Sequence, residues 1–186
     1  MRRFIIRTTA ALLIIIGIIA ATLSIQIQLG NLHTVAEGEL YRSAQPEGED
    51  IAKYAQKLGI KSIINLRGGN QGDEWYQNEV AESKRLGISL IDFRIKAARE
   101  LTDEQIKGLI QALESAPKPV LIHCNAGADR SGLAAALYLR AIKHAPRETA
   151  EKQLSLRYGH VPLWWLETQA MDRTYARFEA STKAAH

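Results

Sequence analysis

Within ten residues, His123-Cys124-Asn125-Ala126-Gly127-Ala128-Asp129-Arg130-Ser131-Gly132, the chain places a cysteine, a glycine, an acid, an arginine and a serine directly after the apolar run 119–122. Cys124 is the only cysteine, and five residues separate it from Arg130. A strand that stops at Cys124 and a helix that starts near Arg130 leave a short loop whose amides, from Asn125 through Ala126 and Gly127 to Ala128, converge on one point. Unsatisfied N–H groups and the positive end of a helix make that point a site for a tetrahedral anion, and the same field favours a cysteine thiolate. Arg130 can hold two phosphate oxygens in its planar fork. Ser131, beside it, can hydrogen-bond the sulfur and help it leave. The chemistry expected is attack of Cys124 on phosphorus. A lone cysteine is otherwise a small buried hydrophobe, and a glycine a turn residue, but neither role accounts for these offsets.

The elements that must position this loop follow from periodicity and punctuation. A helix fits residues 48–58, with Ile51, Tyr54, Ala55 and Leu58 on one face and Gly59 as its stop. Residues 61–66 read as a strand around Ile63 and Ile64. After the turn 67–72 comes a helix over 73–86, stopped at Gly87, and residues 88–95 read as a second strand. Thr102, with Gln105 three residues on, forms a capping box that opens a helix ending before Pro117. Residues 120–123 are the strand feeding the loop, and helices are expected near 130–144, 147–158 and 162–180. Strands alternating with helices predict an α/β fold, a central sheet with helices packed on it. Residues 30–39 read as a linker into the extended segment 39–46. Trp164 and Trp165 read as core or interface packing.

Residues 8–32 carry no formal charge over 25 positions and are almost wholly aliphatic from 10 to 23. About 20 apolar residues span a bilayer as a helix. Arg2, Arg3 and Arg7, with no acid near them, orient the N-terminus to the cytoplasm. The expectation is a transmembrane signal anchor over 1–29, holding a domain over 30–186 at the membrane on its periplasmic, extracytoplasmic side. A cleaved signal and a secreted domain stay open as the alternative, although no A-x-A pattern closes the apolar stretch. The net charge of +4 falls to +1 once these three arginines are set aside, so no nucleic-acid footprint is expected. One cysteine excludes an intrachain disulfide and Cys-rich zinc sites.

The loop resembles the His-Cys-x5-Arg-Ser/Thr signature of the cysteine-dependent protein tyrosine and dual-specificity phosphatases. Tyr41-Arg42-Ser43-Ala44-Gln45-Pro46, Ile63-Ile64-Asn65-Leu66-Arg67 and Pro119-Val120-Leu121-Ile122-His123-Cys124 are similar to the atypical bacterial and fungal-plant branch, over roughly residues 38–160. The resemblance implies a mainly parallel sheet flanked by helices, a phosphocysteine intermediate, and no metal or other cofactor. It also implies that Arg42 lies near the site, as a substrate contact or as support behind it.

Cleavage of a phosphomonoester needs an acid for the leaving oxygen. Asp129, inside the loop, resembles a bacterial subgroup in which such an aspartate is implicated in catalysis; pinning the loop is its other role. Asp92 has a spacing compatible with the family but sits in a strand, where a pairing with Arg94 is the ordinary reading. Glu100 and Asp103 lie beyond that strand, and Asp103 and Glu104 also suit a helix N-terminus. His123 is expected behind the loop, tuning the thiolate. Lys96 and Arg99 could bind further anionic groups.

These readings point to a phosphatase for phosphotyrosine or phosphoserine/threonine proteins. Lipid or inositol phosphates are the alternative, although Asn125 stands where relatives often carry lysine, which weighs against highly phosphorylated inositols. A non-catalytic phosphate-binding module and a rhodanese-like sulfurtransferase are the rivals of another class.

Overall fold

A computed structural model of the chain describes residues 2–161, 163 and 166–184, and their side chains apart from residues 2–7, 10, 11 and 184. Five strands form one sheet: β1 (His33–Ala36), β2 (Leu40–Ser43), β3 (Ser62–Asn65), β4 (Ser89–Asp92) and β5 (Val120–His123), in the order β1-β2-β5-β3-β4. Only the β1/β2 pair is antiparallel. In register, Ser43, His123 and Asn65 form one row at the carboxyl ends of the parallel strands, with Asp92 next to Asn65. Binding sites of open α/β sheets lie at that edge, and Cys124 leaves the central strand there.

The helices are α1 (Arg2–Gln28), α2 (Gly48–Leu58), α3 (Glu74–Leu86), α4 (Asp103–Ser115), α5 (Asp129–Leu137), α6 (Arg147–Glu151) and α7 (Gln169–Ala184). Gly59 and Gly87 end α2 and α3 in the left-handed conformation, and Thr102 and Gln105 close the capping box of α4. The larger core lies between the sheet and α4, α5 and α7, around Ile64, Leu109, Ile122, Leu133, Leu137 and Tyr175; the smaller lies under α2, around Ile51, Ile63 and Leu121. The α/β reading with a mainly parallel sheet therefore describes the domain.

Other expectations need correction. Residues 33–36, read as linker, form the edge strand β1. The strand expected over 88–95 is regular only to Asp92, while Phe93 and Ile95 still donate to the carbonyls of Asn65 and Leu66. The helix expected over 130–144 opens after Leu137 into a wide turn, Tyr138–Ile142. The one expected over 147–158 stops at Glu151 and resumes as a 3₁₀ turn, Leu156–Tyr158, because Arg42 takes the Gln153 carbonyl in between. The last helix starts at Gln169. Trp164 and Trp165 lie outside the described residues.

The transmembrane part of the expected fold does not stand. Among the described residues no helix is long and apolar enough to cross a membrane. Thr22, Ser24, Gln26 and Gln28 break the apolar run in the last turns of α1, and the Gln26 amide is committed to the domain, at Asn31 Oδ1 (2.7 Å) and the Arg157 carbonyl (2.9 Å). The single-pass, extracytoplasmic location and the membrane attachment rested on that span and fall with it.

Candidate active site

Cys124 lies 3% exposed at the floor of the loop between β5 and α5. The loop's shape is set by where its carbonyls go. Asn125 O accepts from Gln45 N (3.1 Å), Ala126 O from Asn31 Nδ2 (2.8 Å), and Gly127 O and Ala128 O both from Arg42 Nη2 (2.8 Å each). All four are held from outside, and the N–H groups of the same four peptides, those of residues 126–129, have no acceptor among the described residues. Planar peptides that send their carbonyls outward send their N–H groups inward, which forms an anion nest with the first turn of α5 behind it. Gly127 makes this geometry possible. Its φ is +70°, and a Cβ there would sit 2.5 Å from Ala44 N.

Arg42 is fully buried, so it lies behind the loop and not against substrate. Besides the two loop carbonyls it donates to Gln153 O (2.8 Å) and Gln153 Oε1 (2.9 Å), and it stacks 4.4 Å from the Tyr158 ring centre. Burial pushes its guanidinium down to about 10, which leaves it cationic at neutral pH. Asn31 does the same work from the other side, bonded to Ala126 O and Tyr158 O while accepting from Gln26 and His33. Nothing in the sequence singles out Asn31, which reads there as part of a linker.

On the open side, Arg130 Nη1 reaches the carbonyls of Ile95 (3.4 Å) and Leu66 (3.5 Å), long contacts that leave most of its fork available. Ser131 Oγ is buried with no hydrogen-bond partner among the described residues. Arg67 is a second cation at this mouth. It stacks 3.6 Å from the Trp75 ring centre and donates to Gln45 Oε1 (2.9 Å), and partial burial, then the Arg130 charge, push it down. Arg94, Lys96 and Arg99 line an adjoining cleft of about 420 Å³.

His123 stands behind Cys124 as expected, with Nδ1 3.5 Å from the Cys124 carbonyl oxygen and a side-chain partner on its other nitrogen. Nε2 lies 2.6 Å from Glu79 Oε1, with both side chains fully buried. Glu79 could not be singled out in sequence, where it is one acid among several on a helix.

The four candidate acids occupy different settings. Asp92 accepts from Asn65 Nδ2 (2.9 Å) and from the Tyr76 hydroxyl, whose titration this bond raises to about 12. Arg94, its expected partner, donates instead to Gly69 O. Glu100 pairs with Arg173 (2.6 Å) and Arg177 (3.0 Å), and Asp103 lies 3.4 Å from Arg177, so both serve to dock α7. Asp129 alone belongs to the loop. Its Oδ1 lies 2.6 Å from Nδ1 of the fully buried His160, whose Nε2 is 2.9 Å from Asp172 Oδ2.

A family model described as a tyrosine phosphatase family matches residues 26–155. The chain belongs to this tyrosine phosphatase family. It is 32% identical over 100 residues to the inositol diphosphatase SIW14 of Saccharomyces cerevisiae, covering 51% of this chain and 34% of that protein. It is 24% identical over 121 residues to the dual specificity protein phosphatase TpbA of Pseudomonas aeruginosa, covering 62% and 49%. The chain thus spans about half or less of the length of these curated relatives. The crystal structure of Pseudomonas aeruginosa TpbA shares the fold, with a TM-score of 0.63 and 22% identity over 81% of this chain and 86% of that one.

Proposed function

We propose that this member of the tyrosine phosphatase family hydrolyses phosphomonoesters on proteins, as a protein tyrosine or dual-specificity phosphatase, through a phosphocysteine intermediate. The observation that carries the reading is the loop itself: four carbonyls held outward, amides turned inward, Cys124 on the floor and Arg130 at the rim. In the first step the Cys124 thiolate forms an S–P bond as the P–O bond to the leaving group breaks. Loop amides and Arg130 stabilise the equatorial oxygens, and Asp129 protonates the leaving oxygen. In the second step water forms a P–O bond, returns its proton to the acid and releases phosphate, while Ser131 stabilises the departing thiolate.

Turnover of p-nitrophenyl phosphate by the reduced protein should be abolished by Cys124→Ser, with no thiosulfate–cyanide sulfur transfer. Phosphate binding without turnover in the wild type would favour the recruitment module, and sulfur transfer would favour the rhodanese-like rival. The cleft beside Arg130 favours a second reading. Arg94, Lys96 and Arg99 there suit a substrate with more than one phosphate, such as an inositol phosphate. Comparing kcat/KM for a phosphotyrosine peptide with that for an inositol polyphosphate separates the two.

A further inference from the structure

His160 is fully buried, and each of its ring nitrogens faces a carboxylate: Nδ1 at 2.6 Å from Asp129, Nε2 at 2.9 Å from Asp172. A neutral imidazole carries one N–H, so it would turn a lone pair towards one of these acceptors. The imidazolium satisfies both. Burial by itself would lower the titration of this ring, but the bonds to Asp129 and Asp172 outweigh it and raise it to about 9. The two acids differ in their surroundings. Both side chains are partly exposed, 24% for Asp129 and 29% for Asp172, but Asp172 lies on α7 while Asp129 opens α5 at the Cys124 loop. The cluster therefore runs from a buried proton to a carboxyl group at the reaction site.

We propose that His160, oriented by Asp172, stores the proton that Asp129 delivers to the leaving group. The inference rests on the phosphatase reading and deepens it. As negative charge builds on the leaving oxygen, the Nδ1–H bond breaks and an O–H bond forms on Asp129. That proton then passes to the leaving oxygen, which keeps the electron pair of the broken P–O bond. His160 is left neutral, with its remaining N–H on Asp172. In the second step the attacking water gives its proton to Asp129 and through it to His160, so the cycle closes without net proton change. His160 touches no substrate. It is a positioning residue whose effect passes through Asp129, as a carboxylate orients the histidine of a hydrolytic triad.

Among the neighbouring charges, Arg42 from β2 acts on both Asp129 and Cys124, and Arg130 follows Asp129 in α5. Arg42 stays cationic up to about 10, so loss of rate between neutral pH and about 9 is assigned to His160.

The test uses the full chain, with p-nitrophenyl phosphate, whose leaving group needs little protonation, beside phenyl phosphate, whose leaving group needs much. His160→Gln should lose about threefold on the first and about 100-fold on the second, within the span of a general-acid effect. The basic limb of its kcat profile should vanish. Asp129→Asn/His160→Gln should be no slower than Asp129→Asn. Equal losses on the two substrates, or losses that multiply in the double variant, overturn the proposal. If His160→Gln does not fold, Asp172→Asn decides, because it removes one of the two negative charges that favour the imidazolium: the basic limb should move to lower pH, and an unmoved limb overturns the proposal. A wild type inactive on both substrates would instead overturn the phosphatase reading, and this inference with it.

Discussion

His123 and His160 both lie fully buried at the two ends of the nucleophile loop, and each meets a carboxylate at 2.6 Å, but their partners differ in what lies beyond them. Glu79 is as buried as His123, so that pair has no access to solvent and serves to hold position. Asp129 is partly exposed at the site, so the His160 pair has an outlet. A histidine–carboxylate contact thus occurs twice, once behind the sulfur and once at the loop, and in the proposed mechanism only the second exchanges a proton. Access of the carboxylate, more than the histidine itself, decides between them.

The largest effect is expected from breaking the closed pair. Glu79→Ala leaves His123 without its partner in the core and should cost about 3–5 kcal/mol, the range for removing one member of a buried pair, measured by urea unfolding. A cost under about 1 kcal/mol would mean that the contact does not hold His123 in place.

The open pair should betray itself by pH dependence. His160 titrates higher folded, at about 9, than its ordinary 6.5, so the folded state binds its proton more tightly. Its stabilisation is fully present below 6.5 and is lost as pH rises through about 9. From pH 6 to pH 10 the Tm advantage of the wild type over His160→Gln should therefore shrink; a constant difference would make His160 a mere staple between α5 and α7.

The smallest effect is expected at Asp92, whose two oxygens are taken by Asn65 and Tyr76. Asp92→Asn should change kcat/KM for phenyl phosphate by less than about threefold, well under the effect of losing a general acid. A 100-fold loss would move the acid from the loop to the end of β4.

What could be read without coordinates was local. The offsets from Cys124 to Ser131, the glycine that a tight loop demands, the Thr102–Gln105 capping box and the stops at Gly59 and Gly87 act over a few residues, and each signal sits next to its effect. Less legible were the elements whose ends are set by neighbours. The short edge strand β1 has no clean alternation, and the helix after residue 147 is interrupted by an arginine from β2.

Within the site, composition and spacing marked out Cys124, Arg130 and the loop between them, because a nest of contiguous amides is a local feature of the chain. Only the tertiary structure decided what holds and charges that loop. Asn31 reaches Ala126 from 95 residues away, Arg42 reaches Gly127 from 85, and His160 reaches Asp129 from 31. A hydrophobic period says which face of an element is buried, but not which polar side chain waits on the element that covers it, and those pairings set the His123–Glu79 contact behind Cys124 apart from the His160–Asp129 contact at the loop.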